Sequence, residues 1–382
     1  MDLAFSAEQD GIREEFRRAS AAATPRAALE HLADTSRGMD DVLWKRLAEL
    51  GWLATAIAED HGGSGLDEIT LCVLAEEIGR NMAAVPFAAS IGGFALGIGL
   101  AADFEVKAAL LPGLGRGELV GVLLTEDCWQ GKPQLQRAPD GAWALSGHAL
   151  NVLDGASATH ALACVDSAQG AQLILLDLAQ SSRDARPAQP LDLLHPSASF
   201  SFKATPVQVL ADGNVARAQW DDTLNRHALL VAFEQLGGAE AALQMAREHC
   251  LNRYAFGRSI ASFQAIKHLL ADMLVSIDLA RSNCYFGASA LAMEGDMLAE
   301  AAAVARISAI DAFRLCARGN IQAHGALGVT WESDCHLYYR RAQALAGSPG
   351  SSRFWKERLI AVLRNRRKAT VSSAPAHLEQ AA

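Results

Sequence analysis

The seven cysteines, Cys72, Cys128, Cys164, Cys250, Cys284, Cys316 and Cys335, lie far apart and form no C-x-x-C pair. That leaves neither a metal site nor a disulfide framework in view. No apolar export segment follows a basic start, which together with the scattered thiols points to a reducing cytoplasm. Lys and Arg are dispersed, and the net charge is −9. A chain without a basic stripe has nothing with which to neutralise a phosphate backbone, so nucleic acid is not an expected partner. Internal repeats are also missing. The longest uncharged run, NMAAVPFAASIGGFALGIGLAA, carries Pro86 and four glycines. It is long enough for a membrane span, but Ala and Gly dominate over Leu and Ile, so a pair of buried helices is the expectation.

What is present is a large apolar content, 51% of 382 residues. That is enough to bury two or three lobes. Residues 1–118 read as helical: FSAEQDGIREEFRRA, DVLWKRLAELGWLA and EITLCVLAEEIGRNM repeat apolar positions at three- and four-residue intervals. Residues 119–220 change to short runs such as LVGVLLTE, WALSGHALNVL, HALACV, LILLDL and SFSFKA. Asp-Gly turns at Asp140, Asp154 and Asp212 separate them, which reads as a β lobe. Residues 225–365 return to long helical periods and read as a helical bundle. Residues 366–382 have no apolar period and read as a loose tail. The helix around Ala301 to Ala317 carries Ala and Ile on more than one side, so it is expected to bury surface against another subunit as well.

The stretch RYAFGRSIASFQAIKHLLADM interrupts this bundle. Gly257 reads as the stop of the helix that carries Arg253, and Ser262 as the N-cap of the helix that follows. Phe263, Ile266, Leu270, Met273 and Ile277 read as core. Gln264 then falls in a first turn, where free backbone N–H groups and the positive dipole end favour an anion. Arg, a side-chain amide and a helix start suit a pyrophosphate. An ordinary capped turn with a surface Arg explains the stretch equally well. Further on, Gln322 precedes a His-Gly-Ala-Leu-Gly run, in which Gly325 and Gly328 would let backbone amides approach a ligand.

With both segments in hand, the chain resembles the acyl-CoA dehydrogenase family over nearly its whole length. LWKRLAELGWLATAIAEDHGGSGLDEITLCVLAEEIGR is also similar to the family's N-terminal pattern. The resemblance implies a mainly α fold with a central β lobe: an N-terminal helical domain, a middle β-barrel or sandwich, and a C-terminal four-helix bundle. It implies FAD as cofactor, an acyl-CoA thioester as substrate and a flavoprotein as electron acceptor. In that family the R-x-x-F-G and F-Q corner and the Q-x-H-G-G loop of one subunit clasp the pyrophosphate and adenosine of an FAD held mainly by its neighbour. Arg253, Phe256, Gln264, Gln322 and Gly325 would take those roles here, with Ala326 in place of the second glycine.

Other family positions differ. In the flavin-ring cradle, Asn151 replaces a Trp, Leu153 replaces a Thr and Gly131 stands at the loop Ser. The two places from which the family draws its catalytic carboxylate count onto Pro349 and His227. A histidine can act as a base near neutrality, so His227 is the remaining catalytic candidate. Glu234, two turns on, is expected to face solvent or a neighbouring helix. This pattern is most similar to the smaller partner chains of heteromeric acyl-CoA dehydrogenases, which desaturate CoA thioesters of steroid side chains, dicarboxylic acids or aromatic-acid intermediates. In such an α2β2 assembly a homologous dehydrogenase chain holds the flavin ring and the base. The alternatives are a self-sufficient homo-oligomeric flavoenzyme and a non-catalytic scaffold.

Overall fold

The structure is a computed structural model that describes residues 5–20, 25–34, 38–137, 141–184, 191–293 and 295–372. The N-terminal part holds α1 (Ala7–Ala19), α2 (Pro25–Asp34), α3 (Asp41–Glu49), α4 (Glu68–Arg80), α5 (Leu96–Ala101) and α6 (Phe104–Gly115). Four of these helices start on a side chain that accepts a first-turn N–H: Ser6, Asp40, Asp67 and Asp103. The long uncharged run is one helix, not a pair. After a turn ending at Pro86 it runs as a π-helix over Ala88–Ala95 and passes directly into α5. Its lining of Ile91, Phe94 and Ile98 is buried. Among the described residues, no helix is long and apolar enough to cross a membrane.

The middle part is one seven-stranded sheet. Its strands are β1 (Gly121–Leu123), β2 (Gln134–Arg137), β3 (Trp143–Val152), β4 (His160–Ser167), β5 (Gly170–Asp177), β6 (Ser182–Asp184) and β7 (Ala198–Asp212). The order is β1-β4-β5-β7-β3-β2, with β6 on β7. The 15-residue β7 pairs with β3 through its first two-thirds and with β5 through its last third, so one strand carries the sheet from one half to the other. Asp154-Gly155 makes a turn as read from the sequence. Asp212-Gly213 instead marks the switch from strand to helix, and the Asp140 turn lies outside the described residues.

The last part comprises α7 (Gly213–Asn252), a two-residue hairpin β8 (Tyr254–Ala255) and β9 (Arg258–Ser259), α8 (Gln264–Ala290), α9 (Asp296–His324), α10 (Cys335–Leu345) and α11 (Ser352–Ser372). Helix α7 begins well before the period near Asn225, because Ala216 and Trp220, one turn apart, already pack into the cluster of Leu173 and Leu175 on β5. Helix α11 runs past Arg366 to Ser372, and the rest of the expected loose tail lies outside the described residues. Helix α9 is internal: Ala301, Ala305, Ile310 and Phe313 are buried against the chain's own helices. The expectation that its Ala-rich faces meet another subunit is therefore corrected. Exposed apolar side chains gather on α8 instead, at Leu274, Val275 and Leu279.

Two close approaches position the site. Helices α4 and α7 cross where a Cβ on Gly79 would lie 1.8 Å from Glu234 O, and one on Gly237 would lie 1.8 Å from Glu76 O. Only glycine allows that spacing. The second is an ion cluster. Arg341 on α10, 1% exposed, donates to Glu234 Oε1 on α7 at 3.1 Å, to Ala83 O after α4 at 3.3 Å, and to Asp192 ahead of β7. Glu234 thus faces a neighbouring helix, the second of its two expected settings, and not solvent. Removing one partner of such a cluster leaves uncompensated buried charge and costs about 3–5 kcal/mol. Arg341→Met should lower the urea unfolding free energy by that order; a loss below about 1 kcal/mol would contradict the role given to Arg341.

Candidate functional site

Helices α7 and α9 end, and α8 begins, at the same end of the bundle. The stacked rings of His249 and His324, 4.0 Å apart, tie the two C-termini together. One turn beyond His249, Arg253 is the residue after the last turn of α7. The chain then reverses through Phe256 (φ 53°) and Gly257 (φ 76°) at the hairpin tip. Two successive positive φ values define the tight turn matched to hairpin twist. Gly257 therefore serves this turn and does not stop α7. Ser262 is not the N-cap of α8 either: its hydroxyl donates to Ser259 O at 2.7 Å, and Phe263 caps α8 without a side-chain bond. The first N–H groups of α8, beside Gln264, consequently have no side-chain cap, which strengthens the electrostatic argument for an anion there. Of the expected core positions, Met273 and Ile277 are fully buried, while Phe263, Ile266 and Leu270 are half-buried.

Gln322 lies in the last turn of α9, and Gly325 (φ 63°) ends that helix with open space where a Cβ would point. Gly328 differs: a Cβ there would sit 2.8 Å from Ile321 O, so this glycine serves packing against α9, not access for a ligand. Arg253, Gln264, Gln322 and Gly325 are all exposed, and Phe256 is 95% exposed. The motif residues are thus gathered on an open surface at one end of the bundle. Arg258, which the sequence reading passed over, belongs with them; its guanidinium stacks on the Phe263 ring, 4.2 Å from the centroid. It stands next to Gly257 in the same motif, so its charge was visible, but its direction was not.

A second place is a cleft that opens to solvent past the exposed Leu150 and Asn151. A cavity of about 350 Å³ lies between the π-helical segment, the ends of β1 and β3, and α7. His227 and Pro349 both line it, so both family positions for a catalytic carboxylate do face one chamber. Neither supplies a carboxylate. His227 Nδ1 bonds Ala88 O at 2.9 Å, and burial pushes its pKa down to about 4 against that bond, with Arg306 adding to the fall. Arg306 itself is fully buried. It donates to Gln235 Oε1 and to the carbonyls of Leu345 and Ser348, which fixes the loop carrying Pro349. Desolvation lowers its pKa to about 9.

Asn151 (φ 51°), Leu153 and Asp154 (φ 60°) line the same chamber, together with Thr125, Asp127, Trp129, His195 and Glu234. Thr125 spends its hydroxyl on Asp127 Oδ1 at 2.5 Å. Gly131 is not part of the wall. An indole is present, Trp129, but it comes from the loop and not from position 151. Burial holds Glu234 above the carboxylate range against the pull of Arg341 and His195. The fit to FAD is therefore split. The open bundle end suits the pyrophosphate and adenosine. The chamber, with Leu153 where a hydroxyl is needed and three carboxylates in its wall, does not suit the flavin ring. Among the described residues there is no His, Cys, Asp and Glu group that could hold a metal ion.

The sequence profile of the acyl-CoA dehydrogenase N-terminal domain matches residues 6–118, and that of the acyl-CoA dehydrogenase C-terminal domain matches residues 217–362. Acyl-CoA dehydrogenase IpdE2 of Mycolicibacterium smegmatis is 30% identical over 345 residues, covering 88% of this chain and 91% of that protein. Acyl-CoA dehydrogenase FadE34 of Mycobacterium tuberculosis is 31% identical over 364 residues, 93% of this chain but 48% of FadE34, so the chain spans about half of that relative. Among solved structures, a variant of the Tcur3481-Tcur3483 steroid ACAD superposes with a TM-score of 0.85 at 26% identity, over 94% of this chain and 99% of that one. The chain belongs to the acyl-CoA dehydrogenase family. Its fold is that of the family, whose members are FAD-dependent dehydrogenases.

The neutral His227 has a measurable consequence. Its pKa is lower in the folded than in the unfolded chain, so the unfolded chain binds the extra proton as pH falls from about 6.5 to about 4, and stability drops across that window. The full effect is on the order of 3 kcal/mol. Glu76, pushed up to about 6 by burial and Glu240, acts in the opposite sense. The difference between the native protein and His227→Gln isolates the histidine. Native stability should fall more steeply than that of the variant between pH 6.5 and 4 in urea titrations, and parallel curves would contradict a buried neutral His227.

Proposed function

We propose that this chain is a subunit of an FAD-dependent acyl-CoA dehydrogenase, and that it completes the adenosine and pyrophosphate end of an FAD whose ring and catalytic base belong to a homologous partner chain. The observation that carries this reading is the contrast between the two places. Pyrophosphate-side residues converge on an open bundle end, while the two family base positions in the chain's own chamber hold Pro349 and a histidine with a pKa of about 4. Arg253, Gln264 and Gln322 would hold the diphosphate and adenosine end of an FAD that, when bound, would supply hydride acceptance for the α,β-desaturation of an acyl-CoA thioester. A flavoprotein acceptor would then receive the electrons. The relatives' names favour steroid or other lipid catabolism as the setting.

Arg253 would supply a planar fork of charge-assisted donors to a diphosphate that stays ionised at neutral pH. Gln264 and the uncapped start of α8 would add neutral donors. Tyr254 and Phe256, 68% and 95% exposed, together with Leu327 and Val329 beside the Gly325 turn, form an apolar rim that a second chain would cover. An exposed aromatic at a hairpin tip is costly in water and suits insertion between the partner and the adenine. Further along α8, the exposed Leu274, Val275 and Leu279 offer a second apolar patch that a partner chain would cover. The α2β2 stoichiometry of this reading comes from the resemblance to heteromeric acyl-CoA dehydrogenases.

Arg253→Ala removes the cation and keeps the hairpin, so folding and chain association should survive. FAD retention in the co-purified complex should fall roughly ten- to a hundredfold, the size of a lost charge-assisted bond. Arg253→Lys should recover part of it, because a point charge does not reproduce the fork. Unchanged flavin content in Arg253→Ala would refute the assignment. A collapse of dye-coupled turnover with intact flavin in His227→Gln would move the proton abstraction onto this chain.

A further inference from the structure

A slot of about 280 Å³ lies in the N-terminal part, apart from both places described above. It is bounded by the 3-10 turn Glu59–His61 with the residues just ahead of it, by the start of α4, by the helix that runs from the π-helical segment into α5, and by α6. The chamber uses Ala88 and Ala89 of that helix, whereas the slot uses positions from Ile91 to Leu100, and the two share no lining residue. Buried Ile57, Ile91, Ala95 and Leu111 give the slot an apolar floor. Gly99 keeps it open, since a Cβ there would meet nothing within 4 Å.

Two polar side chains in the wall are unused. His61 is 9% exposed, and its ring packs against that of Phe104, 5.4 Å between centroids. Lys107 follows Phe104 by three residues, which puts it on the same face of α6, and is half-buried. Among the described residues, neither side chain makes a hydrogen bond or an ion pair, and neither has its nitrogen atoms sealed from solvent. An imidazole carries one N–H in either tautomer and an ammonium carries three, so the wall offers free donors and a positive charge at the edge of an apolar floor. The carboxylate in the same wall, Glu68, is turned away: Oε1 accepts from Arg226 at 2.5 Å, and Oε2 is covered. Glu59 and Asp60 in the turn are exposed to water, where salt screens them. The volume is just under the usual range for small-molecule sites. We propose that this slot binds a small aliphatic monocarboxylate, its carboxylate held between Lys107 and His61 and its hydrocarbon chain on the floor of Ile57, Ile91, Ala95 and Leu111. The chain leaves water for an apolar surface while the head keeps charge-assisted bonds. The site is independent of the FAD reading, and no chemical step is assigned to it.

The test uses octanoate, added to the full-length protein and followed by calorimetry, with 1-octanol as the uncharged probe of the same length. Saturable octanoate binding at one site per chain is expected, about tenfold or more tighter than octanol. Lys107→Met keeps an apolar stem and removes the charge, so octanoate should weaken about tenfold or more while octanol stays the same. His61→Leu should weaken octanoate severalfold. Gly99→Leu, at a helical position without positive φ, places a side chain in the slot and should abolish binding of both probes. Octanoyl-CoA should not displace octanoate, because the chamber and the slot have separate walls. Absence of saturable binding, equal affinity for octanoate and octanol in the native protein, undiminished octanoate binding in any of the three variants, or displacement by octanoyl-CoA would each overturn the proposal. Should a variant fail to fold, the comparison of octanoate with octanol in the native protein decides alone. Either outcome leaves the Arg253 test of flavin retention standing.

Discussion

One buried guanidinium holds the three parts of this chain in register. Arg341 reaches Glu234 in the bundle, Asp192 in the segment leading to β7, and Ala83 O behind α4, all from a position 1% exposed. Buried ion clusters add little net stability compared with an apolar substitute, so their worth is in the geometry they specify. Here the geometry is the chamber. With Glu234 fixed by Arg341 and α7 locked on α4 through Gly79 and Gly237, the wall that carries His227 and Val231 has little freedom relative to the π-helical segment. The bundle end that displays Arg253 is the far terminus of the same α7.

That single 40-residue helix therefore connects two places with different chemistry. At its middle, side chains are desolvated: Glu234 is pushed up and His227 down, with the His195–Asp154 pair of the preceding segments packed beside Glu234. At its C-terminus the groups are open to water and to whatever chain covers them. A self-sufficient enzyme would need both ends intact, because the flavin spans from ring to adenosine. The split found here follows if two unlike chains divide one cofactor between them, each supplying the end it retains.

Much of the open end was legible in the sequence, because its residues are contiguous. Arg253, Phe256 and Gln264 fall within twelve positions, and the helical periods on either side bracket them. The local conformation was less legible. Phe-Gly makes a hairpin tip by taking two positive φ values, which no periodicity announces, and this moved the roles of Gly257 and Ser262. The internal position of α9 was hidden for a related reason, since an Ala-rich surface packs as well inside one chain as between two. The chamber's polar end was not legible at all. Asp154 and His195 are 41 residues apart, and Arg341 is 149 from Asp192, so only the folded chain brings them together. The partner of Glu234 on the neighbouring helix, Arg341, is 107 positions away and was hidden for the same reason.

Flavin stoichiometry tests the division of labour most directly. The protein should be colourless when purified alone, and when co-expressed with the homologous dehydrogenase chain proposed as its partner it should yield one FAD for each pair of unlike chains, read from the visible absorption against protein concentration. A yellow isolated chain carrying one FAD per molecule, or two FAD per unlike pair in the complex, would contradict the account.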